Sequence, residues 1–240
     1  MVLLQIFNSI PQALRRVKSM SEKSINIRKI ITWKIITWEI NTGEINTGEI
    51  DVSEISAGII TKKGGKPMKP DKKFPLFIVS GASGVGKSTM CEILFKKETD
   101  YIVLESDILW QEVFNTPQDN YRNFREVWMT MCANVSQIGM PVVLCGCGIP
   151  EQFEICDARE YFTQIHYLAV VCETPILEKR MREGRGIQEE DWIRSSVSFN
   201  LWLRENASKT QPQITLLDNT NLTPEEAAEE ADKWIRKQGW

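Results

Sequence analysis

Nine consecutive residues carry the clearest chemical signal in this sequence. They read Gly-Ala-Ser-Gly-Val-Gly-Lys-Ser-Thr at positions 81–89, below called the phosphate loop, and match the pattern GxxxxGK[ST]. Glycines let a loop curl so closely around a phosphate group that its own N–H groups point inward. In such a loop we expect Lys87 to place its charge on the β- and γ-phosphates and Ser88 to offer an oxygen to Mg²⁺. The motif therefore predicts binding of ATP or GTP together with Mg²⁺.

The flanking sequence distinguishes this motif from a chance match. The apolar run 74–80 (FPLFIVS) is typical of a buried strand, and a helical apolar pattern begins at Met90. A strand, a loop and a helix in this order would direct the positive end of the helix dipole at the bound phosphates. We expect every residue of the phosphate loop to contact the nucleotide: Gly81, Ala82, Ser83, Gly84, Val85, Gly86, Lys87, Ser88 and Thr89.

Two carboxylates follow the next predicted strand, 101–104. Glu105 and Asp107 lie 18 and 20 residues after Lys87. A carboxylate beside a phosphate site would repel the ligand unless it had a task there, which favours a catalytic role for Asp107. The competing interpretation makes Asp107 the N-cap of a helix starting at Ile108.

The apolar run 141–146 carries no acidic residue at its end, where motor ATPases and helicases usually place one. It leads instead into Cys145-Gly-Cys-Gly148. We interpret Cys145 and Cys147 as buried thiols rather than metal ligands, since the chain offers no histidine near them.

Over about residues 73–238 the chain resembles the P-loop small-molecule and nucleotide kinases, a group that includes the shikimate, gluconate and nucleoside monophosphate kinases. The resemblance implies transfer of the γ-phosphoryl group of ATP to a small-molecule acceptor such as a nucleoside, nucleotide or similar metabolite. It also implies that Glu105, at a position where Asp is commoner, lies near Mg²⁺, and that Asp107 contacts the acceptor hydroxyl. Gly146 and Gly148 stand where shikimate kinase-like proteins carry a glycine-rich substrate loop.

Three arginines cluster at the end of a helix predicted over 174–183, after a strand predicted over 164–171. They are Arg180, Arg182 and Arg185, and related kinases keep a mobile lid in this place. Lid arginines would neutralise charge on the transferring phosphoryl group, and closure would exclude water. We expect Arg182 and Arg185 to act in catalysis ahead of Arg180. The alternative is that arginine is simply favoured at helix C-termini.

The last predicted strand, 213–217, leads to Asn219 and Thr220, which border the adenine if the resemblance holds. A capping-box signal at Thr223 starts the final helix. The helix after Asp107 carries Trp128, with Tyr121, Arg122 and Arg125, in the region where such kinases bind the phosphoryl acceptor. Its default role is packing, and direct contact with the substrate is the alternative.

The order of these elements predicts a three-layer α/β fold of the P-loop NTPase type. We expect a five-stranded parallel sheet, right-handed crossovers and a short lid. His166 falls in an apolar strand and is predicted to be a core residue. Six cysteines without a CxxC pair indicate reduced thiols and a cytoplasmic protein.

Residues 1–67 differ from the remainder. They carry 10 basic and 6 acidic side chains, against 19 and 26 in residues 68–240, so the formal charges are +4 and -7. From about residue 26 the sequence repeats every five residues, with isoleucine at 30, 35, 40, 45, 50, 55 and 60. This period fits neither helix nor strand. We predict a disordered segment, or one absent from the native protein with Met68 as the true start, and a kinase domain over 68–240.

The composition also argues against two kinds of partner, a membrane and a nucleic acid. No run approaches the roughly 20 apolar residues of a membrane-spanning helix. A domain at -7 without a basic stripe argues against a nucleic-acid partner. The functional alternative to a kinase is a nucleotide-binding regulator that hydrolyses ATP slowly without a small-molecule acceptor. The oligomeric state has no signal in the sequence.

Overall fold

A computed structural model describes residues 72–97, 99–110 and 112–240. The pentapeptide repeat, the segment 1–67 and the proposed start at Met68 lie outside these residues, so the predicted domain boundary stays a prediction. Within the described ranges, no helix combines the length and the apolar character that crossing a bilayer requires.

Five strands form one sheet in which every pairing is parallel. In chain order they are β1 (Leu76–Gly81), β2 (Ile102–Glu105), β3 (Val142–Cys145), β4 (Ile165–Val171) and β5 (Ile214–Asp218). Their spatial order is β2-β3-β1-β4-β5. The five-stranded parallel sheet predicted from the sequence is confirmed. Since all strands run the same way, the loops that follow β1, β2 and β3 meet at one edge, where ligands bind in open α/β sheets.

Within the described residues, six α-helices pack around the sheet. They are α1 (Lys87–Lys96), α2 (Arg122–Val135), α3 (Pro150–Glu154), α4 (Thr174–Lys179), α5 (Glu190–Asn206) and α6 (Pro224–Lys237). The helix predicted over 174–183 is regular only to Lys179 and continues as a π-helical turn, Arg180–Gly184. The segment between β2 and α2 is built from short 3₁₀ turns instead of a helix.

The central strand β1 shows how the three layers hold together. Phe77 and Val79 pack into one core cluster with side chains of α1 and α6, such as Leu94. The alternating residues, Leu76 and Ile78, pack with α2 in a second cluster on the other face. Successive strand residues point to opposite faces, and both faces are covered, so the strand is apolar from Leu76 to Val79. The predicted three-layer arrangement is confirmed.

His166 lies at the amino end of β4 and is half-buried. Its ring stacks on Phe77 with centroids 5.1 Å apart and planes inclined by 15°. Burial lowers the pKa of the imidazole below its ordinary value, because a charged ring would lose hydration there. The ring packs against the core residue Phe77 but is only half-buried, so the predicted core role holds in part.

Candidate active site

The phosphate loop joins β1 to α1 and depends on glycine at its first position. Gly81 has φ +149°, and a Cβ there would lie 2.5 Å from the carbonyl oxygen of Val170 on β4. Gly86 is the N-cap of α1 in the left-handed region and makes no side-chain capping bond. The first amides of α1 are therefore left for an anion, as expected of a helix that receives phosphate.

Lys87 is folded back onto its own loop. Its Nζ donates to the carbonyl oxygens of Gly81 at 2.7 Å and Ala82 at 2.9 Å. Ser88 and Thr89 follow on the first turn of α1 with exposed side chains. The lysine ammonium thus lies beside the loop in reach of a phosphate, and the Ser88 hydroxyl is open to a ligand.

The loop is fixed from the side of β5 by a pair that we call the loop brace, Arg180 and Asn219. The Asn219 amide donates to the carbonyl oxygen of Val85 at 2.8 Å and is nearly buried. Arg180 donates to the same carbonyl at 3.1 Å, to the Asn219 side-chain oxygen at 2.9 Å and to its main-chain oxygen at 3.2 Å. The brace ties the middle of the phosphate loop to the end of the last strand.

The other two arginines of the cluster lie differently. Arg185 donates to the Ser83 hydroxyl at 2.7 Å and lies over the Trp192 ring at 5.7 Å. Arg182 forms a bidentate pair with Glu190 at 2.7 and 2.9 Å. The structure brings Arg180 and Arg185 to the phosphate loop and directs Arg182 to the start of α5. The catalytic roles predicted for Arg182 and Arg185 stay predictions. Arg180, which the sequence analysis ranked behind these two, contacts the phosphate loop through Val85.

The predicted base-contact residues follow β5. Thr220 accepts from the backbone N–H of Glu173 at 2.9 Å and donates to Asp218. Both polar groups of the Asn219 amide already bond within the loop brace. Their contact with adenine stays a prediction, and the side chain of Asn219 would have to leave the brace to make it.

Glu105 and Asp107 both lie at the carboxyl end of β2. Glu105 is the last strand residue and pairs in register with Cys145 of β3. Asp107 is exposed in the 3₁₀ turn Ser106–Leu109 and accepts from the Ser106 hydroxyl at 3.3 Å. The alternative role as an N-cap is wrong, because the cap position falls on Glu105, which makes no side-chain capping bond. The Asp107 carboxylate is therefore free of a capping task.

Cys145 of β3 has a buried thiol whose pKa depends on its neighbours. Its pKa is raised, first by a hydrogen bond with Cys91 and then by burial; the Glu105 carboxylate also raises it and the Lys87 ammonium lowers it. The metal-binding role predicted for Glu105 stays a prediction.

These oxygens suit Mg²⁺. The ion usually takes one or two protein oxygens and completes its shell with water and substrate phosphates. The hydroxyl of Ser88 and the carboxylate of Glu105 are hard oxygen donors of that kind. No cluster of three or more His, Cys, Asp or Glu side chains able to hold a metal occurs in the described part of the chain. A site that is shared with the nucleotide phosphates does not require such a cluster.

A cavity of about 560 Å³ opens beside the phosphate loop. Its walls come from the turn after β2, from α2, from residues 146–148, from α3 and from α5. Four aromatic residues, Trp110, Tyr121, Phe124 and Trp128, line one side, so we call it the aromatic cavity. Asp107 also lines it, so the candidate catalytic carboxylate faces this space.

The aromatic cavity and the phosphate loop share a wall. The Ser80 hydroxyl donates to the carbonyl oxygen of Gly148 at 2.6 Å and accepts from its N–H at 3.2 Å. The Cys147 thiol donates to the carbonyl oxygen of Gly81 at 3.3 Å. A Cβ on Gly146 would lie 2.5 Å from the Ser106 hydroxyl, so glycine is needed where the loops after β2 and β3 touch.

The prediction that both thiols are buried holds for Cys145 and is wrong for Cys147, which is exposed. Strand β3 ends at Cys145, and the chain then turns towards the phosphate loop, so strand alternation no longer determines where the Cys147 side chain lies. Sequence reasoning also missed Trp110 and Phe124 as cavity residues. The only signal for them was their aromatic character beside Asp107.

No protein-family model matches the chain, and no curated protein matches its sequence. Solved structures do match it. A sugar kinase from Janibacter sp. HTCC2649 is similar with a TM-score of 0.53 at 17% identity, over 69% of this chain and 95% of that one. The tunicamycin resistance protein of Deinococcus radiodurans gives 0.50 at 14% identity, over 68% and 96%. A gluconokinase from Sinorhizobium meliloti 1021 gives 0.47 at 16% identity, over 70% and 100%.

The matches to the sugar kinase and the tunicamycin resistance protein extend over nearly the whole of each neighbour and over about two thirds of this chain. At sequence identities of 17% and 14%, these two matches show similarity of fold alone. Together with the strand order and the phosphate loop, they confirm the resemblance drawn from the motifs: the chain has the fold of the P-loop small-molecule kinases.

Proposed function

We propose that this protein transfers the γ-phosphoryl group of ATP to a hydroxyl group of a small molecule held in the aromatic cavity. The observation that carries the proposal is the shared wall. The bonds from Ser80 to Gly148 and from Cys147 to Gly81 hold the phosphate loop and the aromatic cavity side by side at one edge of the sheet, which supports the proposal. A donor and an acceptor bound in this way need no further approach, which is the main task of a phosphoryl-transfer enzyme.

Positive charge gathers on the nucleotide side. Lys87 would exchange its two carbonyl partners for the β- and γ-phosphates, and Arg185 already reaches the loop through Ser83. Because the transition state spreads negative charge over the phosphoryl oxygens, these cations would stabilise it more than the ground state. Mg²⁺, held by Ser88 and Glu105 with the phosphates, would supply further positive charge there.

Asp107 is suited to act on the acceptor. Its carboxylate is exposed and lines the cavity. We propose that it accepts the proton of the acceptor hydroxyl while that oxygen bonds to the γ-phosphorus. The bond from the γ-phosphorus to the bridging oxygen breaks, and ADP leaves with the electron pair. The segment 180–189, with its arginines, would close over the site and exclude water.

The test uses the purified 240-residue protein, Mg²⁺ and ATP, with ADP release as the readout. Sugars, nucleosides, nucleotides and antibiotics are supplied in turn as acceptors. We expect at least one class to accelerate ADP release, whereas a regulator with slow hydrolysis would show no dependence on an acceptor. Absence of acceleration across all classes would refute the kinase proposal.

The Asp107→Asn variant tests the assigned base. We expect transfer to fall by about 10² to 10³, the usual loss for one electrostatic contact in the transition state, with ATP binding unchanged. Asp157→Asn is the matched control, because Asp157 is an exposed carboxylate that pairs with Arg122. Full activity of Asp107→Asn would overturn the assignment, and Lys87→Ala should impair ATP binding as well as transfer.

A further inference from the structure

The walls of the aromatic cavity restrict what it can hold. We infer that the acceptor is an aromatic compound carrying a carboxylate or phosphate group, and that Arg125 binds this anion. This inference depends on the proposed function in one respect, namely that the ligand is the phosphoryl acceptor. The anion site and the ring site follow from the cavity itself.

Arg125 lies on α2 and lines the cavity with only 7% of its surface exposed. Its Nε donates to the carbonyl oxygen of Gln152 at 3.2 Å, which fixes the guanidinium plane. Its Nη2 is buried and has no hydrogen-bond partner among the described residues. Burying a charged donor without a partner is costly, so such a group points to a missing anion.

The protein's own groups near Arg125 do not supply that anion. The adjacent carboxylate, Glu126, accepts from the backbone N–H of Asp157 at 2.6 Å and faces Arg122 at 3.5 Å. Burial raises the pKa of the Cys156 thiol to about 11, so this neighbour stays neutral near pH 7. A carboxylate or phosphate on the ligand would match the fork of the guanidinium group.

The rings beside Arg125 form a continuous run, and two of them, Phe124 and Trp128, lie on the same helix, α2. Trp110 lies 6.0 Å from Tyr121 and 5.2 Å from Phe124, and Phe124 lies 6.4 Å from Trp128, measured between centroids. Trp110 is 45% exposed, a large apolar area left open to solvent beside the cavity. Aromatic rings in offset or edge-to-face contact attract further rings, so a flat apolar ligand would be stabilised here.

Several polar groups of the cavity are already used within the protein. Gln152 accepts from the backbone N–H of Ile149 at 3.1 Å and donates to Asn120 at 3.2 Å. The indole N–H of Trp128 donates to the carbonyl oxygen of Ser106 at 3.1 Å. A polyhydroxylated acceptor would need partners around its whole ring, and Gln152 and Trp128 could serve only by giving up internal bonds. The remaining polar side chains of the lining, apart from Arg125 and the residues near Asp107, are Asn120, Tyr121 and Ser195. An aromatic acceptor needs only an anion partner and a carboxylate for its hydroxyl.

Arg125 and Asp107 would hold opposite ends of such an acceptor. Arg125 is anchored to α3 through Gln152, whereas Asp107 stands at the end of β2. The anion must lie away from Asp107, because two negative charges side by side would repel. The reactive hydroxyl is therefore separated from the anionic group on the ligand.

Small fragments test this without knowledge of the acceptor. Benzoate, phenyl phosphate, benzamide and D-gluconate are titrated into the 240-residue protein, and binding is followed by ligand-observed NMR. We expect benzoate or phenyl phosphate to bind at least tenfold more tightly than benzamide, and the stronger of the two identifies the anion. Equal binding of benzamide would overturn the anion site. Tighter binding of D-gluconate than of both aromatic anions would overturn the ring site.

The Arg125→Met variant should bind the preferred anion and benzamide equally, with Arg122→Met as the control. Arg122 lies on the same helix and pairs with Asp157 outside the cavity wall. Arg125→Lys should keep part of the preference for the anion. Loss of the preference in Arg122→Met, or its survival in Arg125→Met, would contradict the inference. If Arg125→Met fails to fold, the fragment comparison in the unaltered protein still decides.

ATP binding, measured separately in the same samples, distinguishes the two proposals. If the protein binds ATP but shows no preference for aromatic anions, this inference alone is refuted. If it prefers aromatic anions but shows no ATP-dependent transfer to any acceptor, the kinase assignment alone is refuted.

Discussion

Replacing Arg180 by methionine would remove the loop brace while keeping most of the packing of the side chain. The guanidinium makes three hydrogen bonds, one to Val85 and two to Asn219. Without them the side-chain oxygen of Asn219, a residue only 6% exposed, loses its partner. The Asn219 amide would still donate to Val85, so the phosphate loop keeps one of its two side-chain contacts there.

The magnitude follows from burial. A buried acceptor left unsatisfied costs about 1 to 3 kcal/mol, and the lost bonds to a charged donor add to it, so we expect unfolding to become easier by roughly 2 to 4 kcal/mol. For a domain of this size that corresponds to a fall in melting temperature of about 5 to 15 °C. The loop would also be less well ordered for ATP, and each 1.4 kcal/mol of that ordering weakens binding about tenfold.

Thermal unfolding and ATP titration of Arg180→Met measure both effects. Arg194→Met is the matched control, because Arg194 forms an exposed ion pair with Asp191 on the surface of α5, and exposed ion pairs contribute little to stability. We expect the control to unfold and bind ATP almost as the unaltered protein does. If the two variants agree within about 0.5 kcal/mol, the usual range for surface substitutions, the loop brace does not hold the loop.

Two further substitutions test the loop and the sheet. Gly81→Ala should abolish ATP binding and destabilise the fold severely, because its Cβ would collide with the backbone oxygen of Val170. Gly139→Ala is the control, since Gly139 also has a positive φ but lies in open space. This control should lower the free energy of unfolding by only about 1 to 2 kcal/mol. Equal effects would show that steric room at Gly81 is unimportant. Because burial lowers the pKa of His166, protonation favours the unfolded state, and the free energy of unfolding should fall between about pH 7 and pH 5. His166→Phe should flatten that fall in urea titrations, and an unchanged slope would contradict the pKa shift.

Much of the fold follows from local patterns that a sequence displays. The apolar runs end at glycine, proline or acidic residues, and each run became a strand within one or two residues of its predicted bounds. The phosphate loop was equally clear, since the motif and its flanks agree. Features of this kind depend on neighbours in the chain, which periodicity records.

The aromatic cavity depends on contacts between distant segments. The chain from Ser106 to Asp119 forms 3₁₀ turns without a helical or strand period, so the approach of Trp110 to Phe124 has no sequence pattern. The burial of Cys147 was predicted wrongly for the same reason, because Cys147 lies beyond the last residue of its strand, Cys145.

The ranking of the arginines could have been improved from the sequence. Residues two apart on a helix point about 200° apart, so Arg180 and Arg182 cannot both face the phosphate loop. Leu177 and Met181 are the buried apolar residues of this stretch, and Arg180 lies beside that stripe. The buried face was therefore a signal in favour of Arg180.

The double bond between Ser80 and Gly148 has a consequence for motion. Since the hydroxyl both donates to and accepts from the same residue, the roots of the nucleotide loop and the cavity loop form one rigid floor. Movement that admits or releases a ligand is then left to segments outside this floor, such as the 3₁₀ turns Ser106–Leu109 and Glu112–Phe114. In the proposed reaction both substrates would rest on a fixed surface, and the rate of their entry and release would depend on the turns above it.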